Sequence, residues 1–242
     1  GKRSKHVTGV QTCALPIYAL TRAANPALAE AQAASPVTVI ADPADCHLLF
    51  DPIGKAVFTS SCDIARIALS NAGVPYETVK AVSGSATLIR VGGAEVASAD
   101  GAGLDATALK AARTDVETRA RAALTAAGYP ETADPARINM PLTFGILMIF
   151  MVAACALYGP QAAALVELFP TRVRYTAMSL PYNIGTGWVG GLLPATSFAL
   201  VAASGNIYFG LWYSVAFTVI AVIVSLIWLP ETRARDLDTI GD

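Results

Sequence analysis

Charge is what this chain has least of. Asp, Glu, Lys and Arg make up 14% of its 242 residues, against roughly a quarter in ordinary soluble domains. The shortage is local. Residues 140–166, 175–203 and 207–229 hold no charged side chain at all, and each run exceeds the about 20 residues that take a helix across a bilayer. Residues 26–137, by contrast, carry nine Lys/Arg and thirteen Asp/Glu, the density of a soluble domain. A soluble protein burying three such helices would need far more polar chain around them, so a wholly soluble fold is excluded. Histidine is nearly absent too. Of the 2 present, His47 has no second His and no acidic cluster at ligand spacing, so no metal site is expected. No nucleophile elbow, phosphate loop or paired-carboxylate arrangement survives its context, which argues against an enzyme. No cofactor and no nucleic-acid partner are expected.

Residues 1–17 stand apart. The stretch VTGVQTCALPI, from Val7 to Ile17, resembles the in-frame translation of a sequencing-library adapter, and is set aside from fold reasoning with Cys13. The protein is then expected to extend upstream of Tyr18. Residues 18–34 read as the end of a transmembrane helix and a linker, with Pro26 soon after the helix end. Residues 35–137 read as a small α+β domain. PVTVIAD alternates like a strand, and HLLF-DPIG-KAVF looks like a hairpin with a Pro/Gly turn. SCDIARIALSNAG is a helix capped by Ser60 or Ser61 and ended by Gly73. YETVKAV, ATLIRV and AEVASA are further strands, and LDATALKAARTDVETRARAALTAAG is an amphipathic helix ending at Gly128.

Transmembrane helices are expected at 138–169, 175–203 and 206–229, with a tail at 230–242. The loop ELFPTRVR places Arg172 and Arg174 at one membrane boundary. Arg233 and Arg235 stand at another boundary two spans later. Two spans return the chain to the same side, and the excess of Lys and Arg in short loops makes that side cytoplasmic. The SGN turn (204–206) and the α+β domain then lie outside, since long loops translocate largely regardless of their charge. The fold class is an α-helical multi-pass membrane protein fragment with three transmembrane helices and a small α+β extracytoplasmic domain.

GPQAAALVELFPTRVRYTAMSLPYNIGTGWVGGLLP, followed by YFGLWY and LPETRARDLD, resembles the last three helices of a major facilitator superfamily transporter. Within that superfamily it is most similar to the metabolite:proton symporters, which carry organic acids or zwitterions. The resemblance makes the three spans helices ten, eleven and twelve, and puts residues 18–27 at the outer end of helix nine. It implies a multi-pass protein of a bacterial inner membrane, with a small metabolite, protons, the bilayer and its own missing N-terminal helices as partners. Glu167, Arg172 and Arg174 match the family's Glu-…-Pro-…-Arg signature, and Glu231 and Arg233 fall in its terminal Pro-Glu-Thr pattern. Carboxylates and guanidiniums at helix mouths can pair bidentately and hold an inner gate shut. The alternative is that the arginines anchor to lipid headgroups.

Polar groups inside a span are costly unless they face protein or water, which makes Gln161, Tyr182 and Asn183 candidates for the substrate path. An interhelical hydrogen bond is the plainer reading of each. The Gly185-x-Gly187-x-x-Gly190 run lies inside an apolar span with no strand before it, so it is no nucleotide loop. Gly187 and Gly191 fit a small-residue face for close helix packing instead. Cys46 and Cys62 flank the expected hairpin and are expected to form a disulfide in an oxidising compartment. Two function classes follow. One is a secondary transporter, of which this chain is the C-terminal part; the other is a membrane-anchored receptor whose business is the α+β domain.

Overall fold

The computed structural model describes residues 8–169 and 172–228. They divide into two compact units, one running up to Met140 and including Ala195–Trp212, the other holding Pro141–Pro194 and the chain from Tyr213 onward.

In the first unit, α1 (Thr8–Ala24) is followed at once by α2 (Pro26–Ala34). Asn25 separates them because its Oδ1 accepts the N–H of Leu28 at 3.2 Å, and Pro26 needs no N–H partner at the first helical position. The linker expected over this stretch is therefore a helix. Next come β1 (Val37–Ala41), a short 3₁₀ turn (Pro43–Asp45), α3 (Ser61–Asn71), β2 (Tyr76–Lys80), β3 (Leu88–Val91), β4 (Ala94–Ala97) and α4 (Ala106–Ala126). The four strands form one sheet in the order β2-β1-β3-β4. β1 and β2 are parallel, joined by the α3 crossover, while β1–β3 and β3–β4 are antiparallel. Val39 sits opposite Thr78 on one side and Ile89 on the other. Alternation in β1 sends Val37, Val39 and Ala41 into the core, where Ala65 and Leu69 of α3 and Val116 of α4 meet them.

Caps fix both helices. Ser60 Oγ accepts the N–H of Asp63 at 3.2 Å, and Asp105 Oδ1 accepts that of Ala108 at 2.8 Å. Gly101 is needed where it stands, since a Cβ there would lie 2.3 Å from Leu109 Cδ1 and 3.1 Å from the Thr59 carbonyl. The hairpin expected over HLLFDPIGKAVF is absent, for residues 47–59 form no strand. Asp51 captures the main-chain N–H groups of Lys55 and Ala56 at 3.0 and 3.1 Å, closing a local turn that competes with a cross-strand ladder. Ile53 and Val57 are left exposed on that loop.

In the second unit, α5 (Met140–Leu168) is apolar all round. At about 1.5 Å per residue its 29 residues exceed the roughly 30 Å of a hydrocarbon core. The second span is not one regular helix. It comprises α6 (Arg174–Asn183), a π-helical stretch (Ile184–Gly190) and α7 (Gly191–Ser204), of which the part from Ala195 onward belongs to the first unit. α8 (Leu211–Trp228) forms the third. It starts later than position 206 because Asn206 Oδ1 accepts from Tyr208 N–H at 2.9 Å and its carbonyl from Phe209 N–H at 2.9 Å, closing a turn first. Met140–Gly159, Arg174–Ser204 and Leu211–Trp228 are each long and apolar enough to cross a membrane.

Candidate functional site

The residues singled out in the sequence fall in four places. Glu167 lies in the last turn of α5, half-buried; Arg172 is exposed in the turn before α6, and Arg174 is the first residue of α6. Arg174 Nε donates to the Phe169 carbonyl at 3.2 Å, which tucks the guanidinium against the loop's own backbone. Its Nη2 is buried with no hydrogen-bond partner among the described residues. That leaves a charged donor available to a carboxylate. Glu231 and Arg233 lie outside the described residues.

The expected substrate-path residues lie along the first two spans. Gln161 is exposed on α5, and Tyr182 and Asn183 end α6, also exposed. Asn183 Nδ2 donates to Ser179 on its own helix, to the carbonyl at 2.8 Å and to Oγ at 3.0 Å. Its Nδ2 is thus paired within its own helix. Tyr182 lends its carbonyl to Thr186 Oγ1 at 2.7 Å. At Gly187 and Gly191, where a packing face is expected, a Cβ would meet nothing within 4 Å among the described residues. Both glycines lie at the π-helical stretch, where the backbone itself is irregular. Cys155 is a free, exposed thiol on α5.

That stretch was not foreseen, although its signal was present. Pro194 has no N–H to give the Gly190 carbonyl, and Pro181 none for that of Ala177, while Gly185, Gly187, Gly190 and Gly191 remove side-chain constraints between them. Helix geometry loosens there into i→i+5 pairing, a distortion frequent at functional sites. Tyr213 Oη of α8 donates to the Val189 carbonyl at 2.9 Å, so the next span supplies a hydrogen bond to the distorted turn. The Tyr213 ring also packs on Phe217 at 4.8 Å.

In the first unit, Cys46 and Cys62 are joined, with Cα atoms 5.1 Å apart. Their approach owes nothing to a hairpin. Cys46 follows the 3₁₀ turn and Cys62 lies in the first turn of α3. His47 next to the bridge is not isolated either: Asp63, buried, accepts its main-chain N–H and holds its Nδ1, both at 2.8 Å. Asp42 is likewise buried, and the N–H groups of Ala44 and Gly84 hold its carboxyl below the usual carboxylate range. Burial pushes the phenols of Tyr76 and Tyr129 up. No group of three or more His, Cys, Asp or Glu is placed to hold a metal among the described residues.

Comparison with known proteins bears on the spans. A family model described as "Sugar (and other) transporter" matches residues 122–242, half of the chain. The chain is 33% identical over 93 residues to the glycine betaine/proline/ectoine/pipecolic acid transporter OusA of Dickeya dadantii, a match covering 38% of this chain and 18% of that protein. It is 32% identical over 93 residues to the proline/betaine transporter of Escherichia coli K12, with the same coverage of 38% and 18%. The chain spans about a fifth of the length of the curated relatives it matches. No solved structure matches it significantly.

Proposed function

The chain belongs to the sugar (and other) transporter family of the major facilitator superfamily, a family of transporters and not enzymes, and on that premise we propose that it is the C-terminal part of a secondary transporter for a small zwitterionic metabolite driven by proton symport. The observation that carries this reading is the coincidence of the family match with the three apolar helices and the basic loop between the first two. The names of the relatives favour solutes like proline and betaine over sugars. Alternating access requires two helix bundles rocking about a midplane site, so these three spans act only with the helices that precede them.

In this reading Arg172, Arg174 and Arg233 face the cytoplasm of a bacterial inner membrane, and the sheet-bearing unit lies on the opposite side. Glu167, Arg172, Arg174, Glu231 and Arg233 form the inner gate, a reading supported by the Nη2 of Arg174, which has no hydrogen-bond partner among the described residues. Gln161, Tyr182 and Asn183 border the substrate path. The test is uptake of labelled proline and glycine betaine by cells that lack their own carriers and express the full-length protein. Uptake that collapses on adding a protonophore is expected, with Arg172→Ala and Arg174→Ala lowering it at unchanged membrane expression. Uptake indifferent to the protonophore would remove proton coupling. No uptake of either solute would remove the zwitterion class, and wild-type uptake in both variants would remove the gate.

A further inference from the structure

We propose that the inserted sheet domain clamps the turn between α7 and α8, which belongs to the same compact unit, with Tyr76 and Gly205 as the joint. Tyr76 opens the edge strand β2, where its N–H is not used by β1. That N–H donates to the Gly205 carbonyl at 2.8 Å. Its phenol reaches the other way and donates to the Ala202 carbonyl at 2.6 Å. One residue therefore satisfies two carbonyls at the end of α7, where a helix leaves its last acceptors without partners. Tyr76 is 6% exposed and Ala202 fully enclosed, so both bonds lie in a dry contact.

The backbone is fitted to this contact at close quarters. Gly205 has φ of 70°, and a Cβ on it would stand 1.9 Å from the Tyr76 carbonyl oxygen. No other residue fits there without moving β2 or the turn. The turn is closed on itself as well. Ser197 Oγ donates to the Gly210 carbonyl at 3.1 Å, and a Cβ at Gly210 would lie 2.9 Å from the Ser197 carbonyl. A second grip comes from α1, whose Tyr18 ring meets Tyr208 of the turn edge to face at 5.6 Å.

The unit also returns to where it left the helices, since Asn139 N–H donates to the Ala23 carbonyl at 2.9 Å. One folded insertion thus ties together the end of α1, the start of α5 and the α7–α8 turn. The consequence for transport rests on the reading above, in which these are the ends of helices nine to twelve. All four then belong to the same half of the transporter. A clamp within one half stiffens that half as a rocking body; it does not lock the two halves to each other.

Hydrogen exchange of the full-length protein in lipid tests the joint and needs no transported substrate, so its outcome is independent of the transport reading. Tyr76→Phe removes the bond to Ala202, and exchange across residues 202–210 is expected to rise about fivefold. Tyr129→Phe is the matched control. It loses a bond of the same kind, from Tyr129 Oη to the Ser35 carbonyl at 2.7 Å, elsewhere in the unit, and the turn is expected to exchange as in the wild type. Gly205→Ala is expected to raise exchange both in the turn and at the Tyr76 amide by more than about tenfold. The clamp is overturned if Tyr76→Phe leaves the turn unchanged, or if Tyr129→Phe accelerates it equally.

Discussion

Ile89 and Ile220 are the same side chain in opposite situations: Ile89 of β3 is 0% exposed, and Ile220 of α8 is 54% exposed. The contrast extends to their surroundings. In the sheet-bearing unit apolar residues of the strands turn inward, and most carboxylates and guanidiniums lie outside, with Asp42, Asp63 and Arg66 the buried exceptions. Along α5 and α8 the apolar residues point every way, and Phe144 and Leu226 stand in the open. Apolar surface on that scale is not tolerated against water. The difference teaches that exposure has meaning only against a solvent: the sheet and the helices packed on it are built for water, α5 and α8 for hydrocarbon and for neighbouring spans.

Substitution to alanine breaks or sharpens that contrast most directly. Ile89→Ala is expected to cost about 2–5 kcal/mol, because it opens a cavity among close-packed side chains. Ile220→Ala is expected to stay within about 0.5 kcal/mol, since no packed neighbour is lost where the side chain meets lipid. Thermal unfolding of both variants of the full-length protein in lipid measures the difference. An equal cost at Ile220 would show that protein, not lipid, covers this face of α8.

Next in size is the covalent staple. Cys46 and Cys62 are 16 residues apart, and closing a loop of that length restrains the unfolded chain by about 3 kcal/mol in chain-entropy terms. Replacing both by alanine is expected to lower the denaturant midpoint of the sheet-bearing unit while leaving span helicity intact. Mass spectrometry of the protein under non-reducing conditions checks the bond itself. Two free thiols after export would remove both the bridge and the oxidising side assigned to it.

How much of this could be read from sequence follows from which interactions are local. The spans were legible because charge-free runs need no partner to identify them. α3 was legible from its serine cap and Gly73, α4 from its amphipathic pattern and Gly128, and β1 from its alternation. The loop at residues 47–59 was misread because the Asp51 turn and a hairpin turn leave the same Pro/Gly trace. The cysteine pair was named from a hairpin that does not form, so that reasoning reached the contact by the wrong route. The π-helical stretch is written in Pro181, Pro194 and the glycines between them, and it was read as packing instead. Tyr76 was not legible at all: its partners at Ala202 and Gly205 are more than a hundred residues away in sequence.

The smallest expected effect is also the most selective, because the charge-free runs of the spans have no carboxylate to titrate. The main-chain N–H groups of Ala44 and Gly84 hold the Asp42 carboxyl below its ordinary value, and the Arg137 guanidinium does the same to Glu30 through bonds of 2.7 and 2.8 Å. A carboxyl depressed in the folded state contributes stability that is present above its unfolded value, about pH 4, and is lost as pH falls through the folded value. Tyr76 and Tyr129 have the opposite sign. Burial raises their phenols, so their contribution is whole below about pH 10 and is lost as pH rises through the folded values. Residues 140–166, 175–203 and 207–229 contain no carboxylate, so acid has nothing to protonate there. Lowering the pH from 7 to 3 is therefore expected to reduce amide protection in β1 and β3, measured against the intrinsic exchange rate at each pH, before span helicity changes, and Asp42→Asn to make that acid edge shallower. Spans that lose helicity in step with the sheet would break the contrast between the two regions. An acid edge unchanged by Asp42→Asn would move its origin to other carboxylates of the same unit.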